Sequence, residues 1–429
     1  MNFFRVWASA LVLIGFGVGA GQASALDAQR PLHHSRTTEP HLTERHRTTT
    51  HHAAGTAARK STTARAGTAH TSASHTAGGR RASVRRVSYT HRRHHYYERF
   101  TASSFAKGDI SEGDITAGED PVVRQAAIDA LGDMNGTAVV IDPSNGRILA
   151  MVNQKLALSP GAEPCSTIKI TVAMAALSEG LVTSDTPVKL DGFRMNMTQA
   201  LAKSNNLYFE ELGRELGFER VRHYANQFGL GELAGYNIAG EQLGVYPDEE
   251  LPAKEGGVGR MCSFGQGVSL TPLQLGAFVA ALANGGTLYY LQHPTTPEEA
   301  AALQPKVKRT LDIARYVPEL EDGMAGAVEY GTARRLRANF HELPVFGKTG
   351  TCSDNGTRFG WFAAWSDSPH GSLVTVFFLE GGRPTFGPRA AELTGLFYQN
   401  LWDRNWFASK GPQDAAAIPA PLAAGQALP

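Results

Sequence analysis

The stretch Thr137-Ala138-Val139-Val140-Ile141-Asp142-Pro143-Ser144-Asn145-Gly146-Arg147-Ile148-Leu149-Ala150-Met151-Val152 decides how this chain of 429 residues folds. Two apolar, β-rich runs flank a turn ending in Asn145-Gly146, a strong hairpin signal. The next strand-like runs come some 200 residues later: Val345 to Thr351, Gly360 to Trp365 and Ser372 to Leu379, separated by turn residues. Between the two groups the pattern is helical. An apolar run from Ile170 to Leu177 closes at Gly180, Met197 to Leu216 ends at Gly217, and Glu219 to Phe228 ends at Gly229. Thr271-Pro272 opens a helix over Leu273 to Asn284, with threonine as cap and proline in the first turn, and Gly285-Gly286 stops it. Asp322 to Tyr330 is also helical in pattern. A short helix, Pro121 to Leu131, precedes the hairpin, and Ala390 to Leu401 closes the series. There are no internal repeats. The fold expected is α+β: one antiparallel sheet assembled from both ends of the domain, with a mostly helical insertion.

Outside this core the composition changes. Residues 26–116 are His-, Arg-, Thr- and Ala-rich without sustained periodicity, and such a segment cannot bury enough apolar surface to offset its chain entropy. They read as a basic disordered tether, residues 117–408 as one large domain, and the Ala/Pro-rich residues 409–429 as a disordered tail. Met1 to Ala25 has an apolar centre from Trp7 to Ala20 and ends Ala23-Ser24-Ala25, which reads as a secretory signal peptide. An uncleaved inner-membrane anchor is the alternative, although the apolar run is short of the roughly 20 residues of a spanning helix. Either reading places the domain in the cell envelope or periplasm. The formal net charge of +1 hides an asymmetry: residues 26–100 carry 14 Lys and Arg against 4 Asp and Glu. The basic arm suits an anionic lipid or wall polymer, or is simply a solvated spacer. A nucleic-acid partner is excluded by the exported reading. The arm's histidines lack ligand-like spacing, so no metal site is expected there.

Three short motifs carry chemistry. Pro164-Cys165-Ser166-Thr167-Ile168-Lys169 heads the run that closes at Gly180. As a helix start it sets Ser166 and Lys169 on one face, where an amine can take a hydroxyl proton and the helix N-terminus favours negative charge. Alone, the pattern equally describes a capping serine on a solvated helix. Lys348-Thr349-Gly350 lies in a predicted strand: a cation, a hydroxyl donor, and a glycine that leaves the strand edge open to a substrate backbone. Strict alternation aims Lys348 and Thr349 at opposite faces, so both serve one site only along the strand's edge. Ser204-Asn205-Asn206 interrupts a helical region; it can line a cleft, or be a helix cap or turn.

Ser-x-x-Lys on a helix, Ser-x-Asn in a helical region and Lys-Thr-Gly on a strand, in this order, resemble the serine acyl-transferases that act on penicillin. The flanks extend the resemblance to the penicillin-binding transpeptidases over roughly residues 120–405. They include the hairpin quoted above, Phe228-Gly229-Leu230-Gly231, Gly240-Glu241, Gly265-Gln266-Gly267, Gly331-Thr332-Ala333 and Gly347-Lys348-Thr349-Gly350-Thr351. The resemblance implies Ser166 as nucleophile, acylated by the penultimate D-Ala of a peptidoglycan stem peptide with release of the terminal D-Ala. It implies Lys169 as general base, its pKa lowered by burial and the Lys348 charge. Ser204 would relay the proton to the leaving group, and Asn206 would bind the stem amide. Lys348 and Thr349 would hold the terminal carboxylate, and Gly350 would leave the strand edge open to the bound substrate. Backbone N–H groups of Ser166 and Thr351 would form the oxyanion hole. An amine from a neighbouring stem then gives the cross-link. β-Lactams are the implied covalent inhibitors, and no metal or cofactor is required.

The chain departs from that pattern in places. Cys165 stands where glycine is usual, the hairpin-to-Ser166 and Ser166-to-Ser204 intervals are short, and the basic tether stands where larger relatives carry a pedestal or glycosyltransferase domain. In the implied fold Cys165 and Cys352 each lie one residue from an oxyanion-hole donor, which predicts a disulfide between them with Cys262 free. A class D-like β-lactamase and a D,D-carboxypeptidase are the nearest alternative activities; Tyr224-Ala225-Asn226 is faintly similar to a class D element. A non-catalytic β-lactam sensor or wall-binding protein is the alternative from another class.

Overall fold

A computed structural model describes residues 100–369 and 371–409. The predicted leader, the tether upstream of residue 100 and the tail beyond 409 lie outside the described residues. Helix α1 (Pro121–Leu131) starts where Asp120 accepts the backbone N–H groups of Val122 and Val123 and Pro121 pre-sets the first turn. Strands β1 (Gly136–Asp142) and β2 (Arg147–Val152) form the hairpin. The insertion then supplies α2 (Ile168–Ser178), α3 (Met197–Lys203), α4 (Asn206–Leu216), α5 (Gly257–Phe264), α6 (Pro272–Ala283) and α7 (Val317–Glu329), with further short helices and two small two-stranded sheets between them. Strands β3 (Val345–Asp354), β4 (Thr357–Ser368) and β5 (Gly371–Gly381) follow, and α8 (Gly387–Asp403) runs back across the sheet.

The five strands pair antiparallel throughout in the order β2-β1-β5-β4-β3. The N-terminal hairpin therefore docks on the last strand of the chain, as expected of a sheet assembled from both ends. Period-2 alternation assigns the two faces. Ala138 and Val140 of β1, with Phe362 and Phe377, face α1 and α8; Val139 and Ile141, with Trp361 and Phe378, face the helical insertion. Trp361 stacks on Phe378 with ring centroids 4.0 Å apart, a pair worth roughly 0.5–1.5 kcal/mol beyond its buried area. On the insertion side, α2 and α6 are buried almost all round, which is why their sequences read as continuous apolar runs. Thr271 and Gln274 form a reciprocal capping box at the start of α6.

The structure goes beyond the sequence reading at three points. The periodic run Met197 to Leu216 is two helices, broken at Ser204, whose φ of 54° is left-handed, and restarted by Asn205 accepting the Tyr208 N–H. Helix α5 carried no sequence signal, because its glycines argue against a helix that tertiary packing then imposes. Part of the segment assigned to the tether is ordered: the Ser104 hydroxyl accepts the Gly382 N–H at 2.8 Å, and Phe105 bridges Met134. Small polar residues earn their place here through backbone bonds that composition does not reveal.

A buried ion cluster ties that entry segment to the sheet. Arg124 pairs with Asp114 at 2.8 Å and Glu119 at 2.9 Å, while Glu119 also accepts the Met151 N–H and faces His293. Removing one partner of a buried pair strands the other charge. Glu119→Ala should therefore lower unfolding free energy by about 3–5 kcal/mol, read from urea denaturation.

Candidate active site

Lys169 carries no exposed surface, and its Nζ lies 2.7 Å from Ser166 Oγ and 3.0 Å from Asn206 Oδ1. It also donates to the backbone carbonyl of Ser263. That carbonyl is free because Ser263 lies in the last turn of α5, which Gly265 ends in a left-handed conformation (φ 72°). The rings of Phe209 and Phe264 stand 5.7 and 5.8 Å from the amine. Burial is the main force on Lys169 and lowers its pKa to about 7; the Glu210 carboxylate opposes it and loses. A neutral amine has two N–H donors and one lone pair. With the donors taken by Asn206 and Ser263, the lone pair is left to accept the Ser166 hydroxyl proton.

Lys348 is equally buried, and its Nζ donates to Ser204 Oγ at 2.8 Å and to the Thr349 carbonyl at 3.0 Å. Its pKa is driven well below the ordinary lysine range, first by burial and then by the Lys169 charge. Repulsion between two amines is mutual, so each disfavours a proton on the other, with burial the larger cause for both. Ser204 can reach this amine because its left-handed turn ends α3 and presents the hydroxyl across the cleft. Thr349 Oγ1 lies 2.6 Å from Thr332 Oγ1, making a hydroxyl pair on the other side of the same strand. Both residues serve one cleft because β3 is the edge strand, the condition that alternation required.

Gly350 also has a packing role that the sequence did not reveal. A side chain there would meet the Pro164 carbonyl at 2.7 Å and Thr167 Cγ2 at 3.2 Å, so the glycine lets β3 press against the Pro164–Thr167 segment. The same segment is held by Trp361 Nε1 donating to the Glu163 carbonyl at 3.0 Å and by Thr167 Oγ1 donating to the Pro164 carbonyl at 2.6 Å. Thr351 Oγ1 accepts the Gly387 N–H at 2.8 Å, which ties the start of α8 to the strand.

Cys165 has φ 52°, in the left-handed region where glycine is favoured, and it forms a disulfide with Cys352; Cys262 is free and buried. A non-glycine residue there costs about 1–2 kcal/mol. The bridge spans a sequence separation of 187, for which the chain-entropy model gives roughly 5 kcal/mol of stabilisation. The crosslink therefore more than offsets the strained residue that makes it.

Of the eight sequence-predicted residues, Ser166, Lys169 and Asn206 form one hydrogen-bonded group and Ser204 and Lys348 a second, while Thr349 pairs with Thr332, Gly350 packs on the Pro164–Thr167 segment and Thr351 bonds to Gly387. Two participants were missed. The Ser263 carbonyl is a backbone group and leaves no mark in a sequence; Thr332 was visible in Gly331-Thr332-Ala333 but had no partner until Thr349 was placed beside it. Tyr224 does not join the cleft residues: its hydroxyl donates to Glu179 at 2.8 Å.

Residues 136–392 match the penicillin binding protein transpeptidase domain. The chain is 30% identical over 257 residues to stage V sporulation protein D of Bacillus subtilis, covering 50% of this chain and 39% of that protein. It is 27% identical over 287 residues to penicillin-binding protein PbpB of Mycolicibacterium smegmatis, covering 56% of this chain and 43% of the relative. The chain thus spans about two fifths of the length of these curated relatives. Among solved structures, Pseudomonas aeruginosa PBP2 in complex with WCK 5153 shares the fold, with a TM-score of 0.57 and 22% identity over 67% of this chain and 77% of that one.

Below pH 7 the Lys169 amine holds a proton and has no lone pair for Ser166. The rate of covalent modification at Ser166 should therefore rise with pH and level off above an apparent pKa of about 7, measured with a reporter acyl donor. Gly350→Ala should slow the same reaction at least tenfold, as the added methyl pushes β3 from the nucleophile segment.

Proposed function

The chain belongs to the penicillin-binding protein transpeptidase family, and we propose that it is a D,D-transpeptidase that cross-links peptidoglycan stem peptides through an acyl-enzyme on Ser166. The observation that carries this reading is the Lys169 amine held between Ser166, Asn206 and the Ser263 carbonyl with its pKa lowered to about 7.

In the proposed reaction the Ser166 hydroxyl gives its proton to Lys169, and Oγ attacks the carbonyl carbon of the penultimate D-Ala. The resulting oxyanion lies against the backbone N–H groups of Ser166 and Thr351. The C–N bond then breaks, and the terminal D-Ala leaves as an amine that receives its proton through Ser204, whose hydroxyl the Lys348 amine orients. An amine of a second stem attacks the ester, returns the proton to Ser166 and completes the cross-link. Asn206 spends its Oδ1 on Lys169, which leaves its Nδ2 for a stem carbonyl. Lys348 is enclosed and committed to Ser204, so the terminal carboxylate falls to the Thr349–Thr332 hydroxyl pair, with Lys348 supplying field and not contact. A carboxypeptidase would differ only in using water as the acceptor.

Several relatives carry the name peptidoglycan D,D-transpeptidase, among them FtsI and MrdA of Escherichia coli, which supports the substrate class. The leader-like residues 1–25 and the disulfide support a site of action outside the cytoplasm. Among the described residues no helix is long and apolar enough to cross a membrane. The basic arm is proposed to hold the enzyme near anionic lipid or wall polymer.

A labelled penicillin tests the assignment. Wild-type chain should take up one stable label, and Ser166→Ala should take up none. Lys169→Ala should slow labelling on the order of 10²–10⁴-fold. Rapid release of hydrolysed drug would instead mark a β-lactamase, and an unlabelled wild type would remove the acyl-transfer reading. Stem peptides with and without an amine acceptor then separate cross-linking from trimming.

A further inference from the structure

We propose that the Cys165–Cys352 disulfide is a positioning element of the oxyanion hole, so that acylation of Ser166 depends on the bridge while non-covalent ligand binding does not. The inference rests on the acyl-transfer reading of Ser166.

An oxyanion hole needs two N–H groups held at one point. Here the two candidates sit on separate elements: Ser166 in the turn that opens α2, and Thr351 on β3. β3 is the sheet's edge, so no further strand fixes it from outside. The bridge joins the residue before one donor to the residue after the other, with Cα atoms 5.5 Å apart. It is thus a covalent tie across the hole itself. Cys165 also sets the direction of the Ser166 N–H, because its backbone is left-handed at φ 52°. Side chains disfavour that conformation. Once the bridge opens, nothing covalent opposes rotation of residue 165 toward ordinary helical or extended values, which would swing the Ser166 N–H away from Thr351. The groups that recognise a ligand lie elsewhere. Thr349 and Thr332 bond to each other, and Asn206 is anchored on Lys169, none of them through either cysteine.

The test compares oxidised wild type with the same chain after dithiothreitol, whose two thiols give two electrons and two protons to the S–S bond and leave as a cyclic disulfide. Two double variants accompany it: Cys165→Ala/Cys352→Ser, and Cys165→Gly/Cys352→Ser, in which glycine tolerates the left-handed backbone. Single-turnover labelling with a fluorescent penicillin separates the acylation rate constant from the preceding dissociation constant, and thermal melts follow the fold. Reduction and the Ala/Ser change should each cut the acylation rate constant about 10–100-fold, with the dissociation constant within about twofold. The Gly/Ser variant should fall between the Ala/Ser variant and oxidised wild type. If the reduced chain unfolds, the Gly/Ser variant carries the comparison alone. A lower melting temperature with an unchanged acylation rate constant would make the bridge purely structural and overturn the proposal, as would a loss confined to the dissociation constant. Labelled wild type with a bridge-independent rate sinks the proposal and leaves the acyl-transfer reading standing; unlabelled oxidised wild type sinks both.

Discussion

A primary amine with no water to solvate it constrains this site more than any other group. Lys169 is enclosed by the sheet-facing insertion, and the enclosure both lowers its basicity and obliges its hydrogen atoms to find acceptors. The two acceptors come from different places, an amide side chain at the start of α4 and a backbone carbonyl at the end of α5. Each of those helices must end or begin where it does for the amine to be aimed at Ser166. Helix termini, usually a liability of unpaired groups, here become the means of orienting a base. The helical insertion is thus a device for delivering two helix ends to one nitrogen.

The second lysine shows the same logic applied on the edge strand. A cation on β3 invites the reading that it grips an anionic substrate. Its complete burial and its bonds to Ser204 and the Thr349 carbonyl argue for a different use. Two amines that each lose charge by burial and repel each other cannot both hold a proton cheaply. A substrate carboxylate entering near Thr349 would favour a proton on Lys348, and the Lys348 charge would in turn favour a neutral Lys169. In the proposed reaction, substrate binding would then ready the base with no moving part required.

How far the sequence could be read depended on which atoms carry the information. Alternating β-branched and aromatic residues around Asn145-Gly146 and over Ser372 to Leu379 specified strands, faces and the sheet assembled from both ends. The order β2-β1-β5-β4-β3 carried no such signal and comes from the structure alone. The interruption at Ser204-Asn205-Asn206 was legible as a cap or turn, but not the left-handed backbone of Ser204 that aims its hydroxyl at Lys348. Helix α5 was hidden: its glycines deny the propensity that packing against α4 overrides. Thr332 and Thr349 could be named separately but not paired, since their contact joins two elements distant in sequence. The Ser263 carbonyl lay beyond reach altogether, because every residue has one and only the end of a helix makes it available.

Cys165 reconciles the sequence's clearest departure from its family with the geometry of the site. Where glycine would adopt the left-handed backbone without cost, this chain places a residue that resists it and then ties that residue to the neighbouring strand. The exchange replaces a position that is permissive in both bound and free states with one held in a single conformation. A glycine lowers the cost of the required geometry; a crosslinked cysteine raises the cost of leaving it. For the oxyanion hole proposed here, which would have to exist before charge develops on the oxygen, the second arrangement is the stricter one, since preorganisation is measured by the alternatives removed.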